Sequence, residues 1–317
     1  MLYADNNQTI GDLSSKKGAA KKKGSRKMAK ISIKDLLEAG CHFGHQTRRW
    51  NPKMKEFVYG NKKGISIIDL TKTMHQIAAA CNFLQHVVAD GGDVLFVGTK
   101  RQIRDLVKEM ADDTGMYSVS ERWLGGTLTN NVTIRKSITK MAEIDGILNS
   151  DAVNSMTKKE VAVLSRRATK LHRDLDGIAQ MKKLPAALII IDVCNEINAV
   201  REANKLNIPI VAIVDTNGDP SMVDYPVAAN DDAVKSVEII TSVFREAIKL
   251  AKEVHLKRVT EEREAVEAAK RAAADQAEEE AKEEKPAAKK PAAKKPAARK
   301  PAAKKAAEPK AEEAKAE

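Results

Sequence analysis

Apolar residues recur along the first 250 positions in two rhythms. Short unbroken runs at 94–97, 188–191 and 210–214 are bounded by turn residues and followed by helically spaced segments. Runs that short read as strands covered on both faces rather than as buried helices. Their alternation with helices predicts an α/β domain, a mainly parallel sheet with helices on both faces. Upstream, Ser32 with Asp35 three residues on predicts a capped short helix that stops at Gly40. Two short strands, 57–59 and 65–68, flank the turn-forming Gly60-Asn-Lys-Lys-Gly64, and a helix over 72–89 is closed by Gly91-Gly92.

A different periodicity occupies 132–182. Ile134, Ile138, Met141, Ile144 and Leu148 recur at helical spacing, and Val161, Leu164, Ala168, Leu171, Leu175 and Ile178 recur at alternating intervals of three and four. That second pattern is an a/d seam. With the Asn/Ser/Asp-rich stretch 149–155 between them, the two segments predict an antiparallel coiled-coil hairpin inserted into the α/β domain, whose parts are then 30–131 and 183–250. Residues 251–285 read as an acidic extended helix. The tail 286–317 contains four copies of Pro-Ala-Ala-Lys/Arg-Lys, and a proline every fifth residue with no large apolar group predicts disorder. Residues 1–29 form a basic, Gly/Ser-rich segment, either a disordered arm or the product of a start site placed ahead of Met28.

Charge changes this picture less than its total suggests. The formal charge is +11, but residues 1–27 carry +5 and residues 251–317 carry +3, leaving only +3 for 28–250. Overall basicity therefore does not establish a nucleic-acid partner for the folded part. Aromatics are only 3% of the chain, so the core must be aliphatic and each aromatic is worth locating. Cys41, Cys81 and Cys194 are widely spaced without a CxxC pair, which argues against a disulfide scaffold or zinc ribbon. With no membrane-length apolar run and no signal-peptide core, a cytoplasmic protein is expected.

Alternating strands and helices raise the possibility of a nucleotide-binding enzyme. Gly98-Thr-Lys-Arg101 follows the first run but has neither the GxGxxG spacing nor a P-loop frame. A structural turn presenting Lys100 and Arg101 to RNA is the competing reading. Asp192, Asp215 and Asp219 at strand ends suggest either a divalent metal or a turn whose carboxylates bond their own backbone, and the turn is preferred. No catalytic residue, metal or cofactor is expected.

Two loops carry the strongest chemistry. Loop 41–55 gathers His42, His45, Gln46, Arg48, Arg49, Trp50, Asn51 and Lys53. Arg forks grip phosphates, His and Trp stack on bases or sugars, and Gln and Asn read edges or 2′-hydroxyls. Cys41, His42 and His45 as metal ligands, and a loop simply folded onto the domain, are the alternatives. The second loop, Glu121 to Asn131, sets Arg122 beside Trp123, followed by Gly125, Gly126, Thr127 and Asn130. Its glycines permit close approach to a phosphate, or else form a hinge packed by Trp123.

At these residues the sequence resembles the bacterial small-subunit ribosomal protein S2 family. The resemblance is carried by LLEAGCHFGHQTRRWNPKM from Leu36, IIDLTKT from Ile67, VLFVGTKRQ from Val94, RWLGGTLTN from Arg122 and IPIVAIVDTNGDPSMVDYPVAANDDA from Ile208. It implies a flavodoxin-like α/β domain with an inserted helical hairpin and no catalysis. It also implies a role as a ribosomal constituent that binds small-subunit ribosomal RNA through 42–53 and 122–131, neighbours other small-subunit proteins, and helps dock the large first protein of that subunit. Neither a membrane nor a homo-oligomer belongs to this expectation. The two terminal extensions depart from the family and leave open a nucleoid-type nucleic-acid binder acting through the basic tail. A nucleotide-binding α/β module is the second alternative.

Overall fold

The computed structural model describes residues 31–283. The basic arm and the Pro-Ala-Ala-Lys-Lys tail lie outside them. The chain divides into two units after Glu261, and the architecture below is that of the first.

Five parallel strands form the main sheet: β4 (Val94–Val97), β5 (Tyr117–Val119), β6 (Ala187–Ile191), β7 (Ile210–Val214) and β8 (Tyr225–Ala228). Their order across the sheet is β5-β4-β6-β7-β8. Taken in chain order among themselves this is 2-1-3-4-5, the flavodoxin-like arrangement. The alternation of side chains along each strand divides the core in two. Val94, Phe96, Ile189, Ile191, Val211 and Ile213 pack on one face, against α1 (Ile33–Glu38), α2 (Leu70–Ala89), α3 (Arg104–Thr114) and α7 (Val234–Glu283). Leu95, Val97, Leu188, Ile190, Ala212 and Val214 pack on the other, against α6 (Ile197–Lys205) and buried residues of α4 (Asn131–Leu148) and α5 (Lys158–Leu175). Both faces are covered, so the central strands read as continuous apolar runs.

The capping box at Ser32 is formed in both directions, with Asp35 accepting from the Ser32 amide and Ser32 accepting from the Asp35 amide. A second one, Thr157 with Glu160, starts α5. Helices α4 and α5 pack on each other. Along the expected seam Ala168 and Leu175 are buried, whereas Val161, Leu164 and Leu171 are half-buried. His172 links the two helices through its Nε2, 2.8 Å from Asp145, while its Nδ1 meets Asp176 at 2.7 Å.

Three strands of the fold go beyond the sequence expectation. β5 is only three residues long with a serine at its centre, and β8 contains Pro226, which a strand at the sheet edge tolerates because its missing N–H faces no partner. The third is β1 (Phe43–Gln46), inside the loop expected at 41–55. It pairs antiparallel with β3 (Ile65–Ile68), which also pairs with β2 (Val58–Lys62), making a small second sheet in the order β1-β3-β2. Among the described residues no helix is long and apolar enough to cross a membrane.

Candidate nucleic-acid interface

The 41–55 segment is half strand, half turn. After β1 it runs through two 3-10 turns, Thr47–Arg49 and Pro52–Glu56, the second capped by Asn51, whose side chain accepts from the Lys53 amide. It is fastened to the loop after β7 at several points. The His45 amide donates to Thr216 Oγ1 at 2.8 Å, the Asn51 amide to the Thr216 carbonyl at 2.8 Å, and Lys53 Nζ to Asp219 and Ser221 at 2.7 Å each. Gly44 is required for this approach, because a Cβ there would lie 2.5 Å from Thr216 Cγ2.

These contacts sort the residues expected to face RNA. His45 is turned inward: Nδ1 lies 2.9 Å from Asp215 and Nε2 lies 3.4 Å from Asp232. The hydrogen bond to Asp215 raises its pKa, against the opposing effect of burial. His42 leans on Phe43, with ring centroids 3.9 Å apart, and burial depresses its pKa. Asn51 and Lys53 hold the turn. Gln46, Arg48, Arg49 and Trp50 stay exposed and have no side-chain partner among the described residues. Lys55, Lys62 and Lys63 are exposed nearby on the same small sheet and its flanking turn.

Cys41 is fully buried, its thiol directed at the Ser236 carbonyl 3.9 Å away. It does not join His42 and His45 in a metal-binding group. One atom each from His45, Asp231 and Asp232 lie within 4.8 Å of one another, a spacing a cation could bridge. The counter-charge there already comes from the protein. Lys100 Nζ sits 2.8 Å from each of Asp192, Asp231 and Asp232. Burial alone would lower the Lys100 pKa, but the three carboxylates outweigh it and raise it. Burial, reinforced by Asp192, pushes Asp231 up to about 7. Asp192 holds a φ of +70° while its carboxylate also accepts from the Cys194 and Asn195 amides. Of the other strand-end carboxylates, Asp219 accepts from the Ser221 amide and Asp215 from the Thr216 amide, the self-bonded turn expected, while both also anchor loop 41–55.

This cluster bears on the nucleotide-binding alternative. In an open sheet of this order the ligand crevice lies beyond the strand ends where the order reverses, here between β4 and β6. That position is filled by Thr99 bonded to Glu196, Asn195 bonded to Thr99, and Lys100 encircled by carboxylates. The surrounding negative charge repels phosphate. Arg101, next in sequence, is exposed.

In the second loop Trp123 is buried, 8% exposed, and its Nε1 donates to Glu202 at 3.0 Å. The same carboxylate accepts from the amides of Gly126, Leu128 and Thr129 and from the Thr129 hydroxyl. Burial acts to raise the Glu202 pKa, but these donors outweigh it and lower it. The nest that Gly125 and Gly126 offer an anion is therefore occupied by the protein's own glutamate. Thr127 is buried and donates to the Leu124 carbonyl, and Asn130 accepts from the Thr133 hydroxyl at α4. Arg122 alone of this loop's basic and aromatic pair points to solvent. Neither Glu202 nor Asp231 and Asp232 carried a local sequence signal for these roles, since their partners lie more than 70 residues away.

The family model for Ribosomal protein S2 matches residues 36–251, from the first helix through α7's buried part. A curated relative from Desulfatibacillum aliphaticivorans, Small ribosomal subunit protein uS2, is 49% identical over 231 residues, covering 73% of this chain and 79% of its own length. The protein thus belongs to the ribosomal protein S2 family and is a structural constituent of the small ribosomal subunit.

Proposed function

We propose that the chain meets ribosomal RNA mainly through the outer side of the 41–55 segment and the adjoining small sheet. Gln46, Arg48, Arg49 and Trp50 make the contacts there, while Arg101 and Arg122 add phosphate contacts at the edges. His42, His45, Asn51, Lys53, Lys100, Trp123, Gly125, Gly126, Thr127 and Asn130 act from behind, holding these loops in shape. The observation that carries this reading is the division within one segment: His45, the Asn51 amide and Lys53 are tied to Asp215, Thr216 and Asp219, while its arginines have no carboxylate partner among the described residues. Unpaired guanidinium groups on an anchored backbone suit a phosphate lattice.

In this reading the protein works without catalysis, as a monomer on the cytoplasmic ribosome. The family resemblance supports a further role in docking the large first protein of the subunit. The full chain should co-sediment with small subunits at physiological salt. A truncation after Leu250 should still do so. Loss of association on that truncation would instead assign binding to the tail, whose attraction to nucleic acid is non-specific and steeply salt-dependent.

A further inference from the structure

Between the inner side of the small sheet and the turns of 47–56 lies a cleft of about 320 Å³, lined by Thr47, Trp50, Lys55, Val58, Asn61 and Ser66. That volume is within the roughly 300–1,000 Å³ range of small-ligand sites. Ser66 is 1% exposed and its hydroxyl has no hydrogen-bond partner. The Thr47 hydroxyl, the Trp50 indole N–H, the Lys55 ammonium and the Asn61 amide also lack side-chain partners among the described residues. A buried hydroxyl left unpaired is costly, and a fold normally satisfies it. One buried, unpartnered hydroxyl beside an exposed tryptophan, with three more exposed polar side chains free to turn toward a ligand, makes a site whose polar floor lacks a protein partner.

We infer that this cleft takes one unpaired ribonucleotide of the subunit RNA, its base stacked on the Trp50 indole and its edge read by Ser66 and Asn61. Lys55 then neutralises the adjoining phosphate, with Arg48 and Arg49 beside it. The inference rests on the RNA-binding reading and narrows it to a base. Single-stranded RNA is recognised by stacking on aromatic rings and hydrogen bonding to base edges, which is the combination assembled here. The surrounding charge excludes a basic partner. An acidic peptide would match the charge but leave the hydroxyl and amide at the cleft floor without a planar edge to read.

The test incorporates the full chain into small subunits and irradiates them for zero-length crosslinking, with peptide mapping. A nucleotide adduct on the peptide holding Trp50 is expected. Trp50→Ala should weaken the chain's affinity for the subunit at least about tenfold, with Trp50→Phe recovering most of it. Ser66→Ala discriminates further: losing an unpaired buried hydroxyl should leave the thermal midpoint unchanged or raised while affinity falls about threefold or more. RNA adducts elsewhere in the chain but none on Trp50, with Ser66→Ala binding normally, overturn the subsite and spare the RNA-binding reading. A peptide crosslinked to Trp50 in place of a nucleotide also overturns it. Absence of all RNA adducts together with failure to co-sediment overturns the broader reading.

Discussion

His45 Nδ1 lies 2.9 Å from Asp215 Oδ2, across 170 residues of chain. The contact is one of several that fasten β1 and the turns after it to the chain leaving β7, at Asp215, Thr216, Asp219 and Ser221. A short strand and two 3-10 turns are thereby held in one place, and their outward side chains gain fixed origins. Rigid placement lowers the ordering cost when they meet a partner.

Arg48 and Arg49 follow directly from that arrangement. Both are exposed and carry no stabilising contact in the free protein, so Arg48→Glu with Arg49→Glu should change stability by less than about 1 kcal/mol. Subunit incorporation should fall by at least about tenfold and become less sensitive to salt, because phosphate contacts and their released counterions are lost. Circular dichroism with quantitative co-sedimentation over a salt series measures both. Normal incorporation would remove this loop from the interface.

The His45 cluster predicts a pH dependence of stability. Asp215 raises the His45 pKa, so its contribution is fully present below about pH 6.5, the ordinary value, and is lost as pH rises through the raised folded value. Asp231, pushed by burial to about 7, acts in the same direction: the fold keeps it protonated where the unfolded chain ionises it, so stability declines as pH rises toward 7. His42, depressed by burial, acts oppositely, and His172, raised by Asp145, acts with His45. The clean observable is a difference. Wild type should exceed His45→Gln in denaturant midpoint by more at pH 6 than at pH 8, and an equal margin at the two pH values would sink the assignment.

How much of this was legible depended on whether the signal was local. The unbroken runs at β4, β6 and β7 announce buried parallel strands because both faces are apolar, and Ser32 with Asp35 announces a helix start within four residues. β1 and β8 are hidden by composition: Phe43-Gly-His-Gln46 has no apolar alternation, and Pro226 ordinarily argues against a strand. Loop chemistry showed the same limit. The arginines and tryptophans could be picked out, but not which were already engaged. Trp123 and Lys100 look as available in sequence as Trp50 and Arg101. Only their distant carboxylates, Glu202 and the Asp192, Asp231 and Asp232 group, separate them.

Gly44→Ala tests the closeness of β1 to the β7 loop. The added methyl would meet Thr216 Cγ2 at 2.5 Å and Thr216 Oγ1 at 2.8 Å, and Thr216 is itself fully buried and bonded to the His45 amide. Overpacking of this kind costs about 1–3 kcal/mol. Thr216→Ala in the same chain removes both clashing atoms along with the hydroxyl's two hydrogen bonds, to the His45 amide and to Asp215, so the double variant should recover part of the loss. Additive destabilisation in a double-mutant cycle would show that the two residues do not press on each other.

Glu202 gives the strongest single-residue prediction. Its carboxylate accepts from the Trp123 indole, from three backbone amides and from the Thr129 hydroxyl, and so closes the turn that leads into α4. Glu202→Ala leaves those donors without the acceptor they surround. Hydrogen bonds to a charged group are worth about 1.5–3 kcal/mol each, but they are not additive and part of the turn is open to water, so a loss of about 2–4 kcal/mol is expected. Trp123 emission should shift to the red as its indole loses its partner and gains solvent. Glu202→Gln keeps the shape but replaces one acceptor oxygen by an N–H₂ group facing N–H donors, so it should fall between wild type and alanine. If the turn were held by packing of Trp123 alone, the glutamine variant would match wild type in both stability and emission.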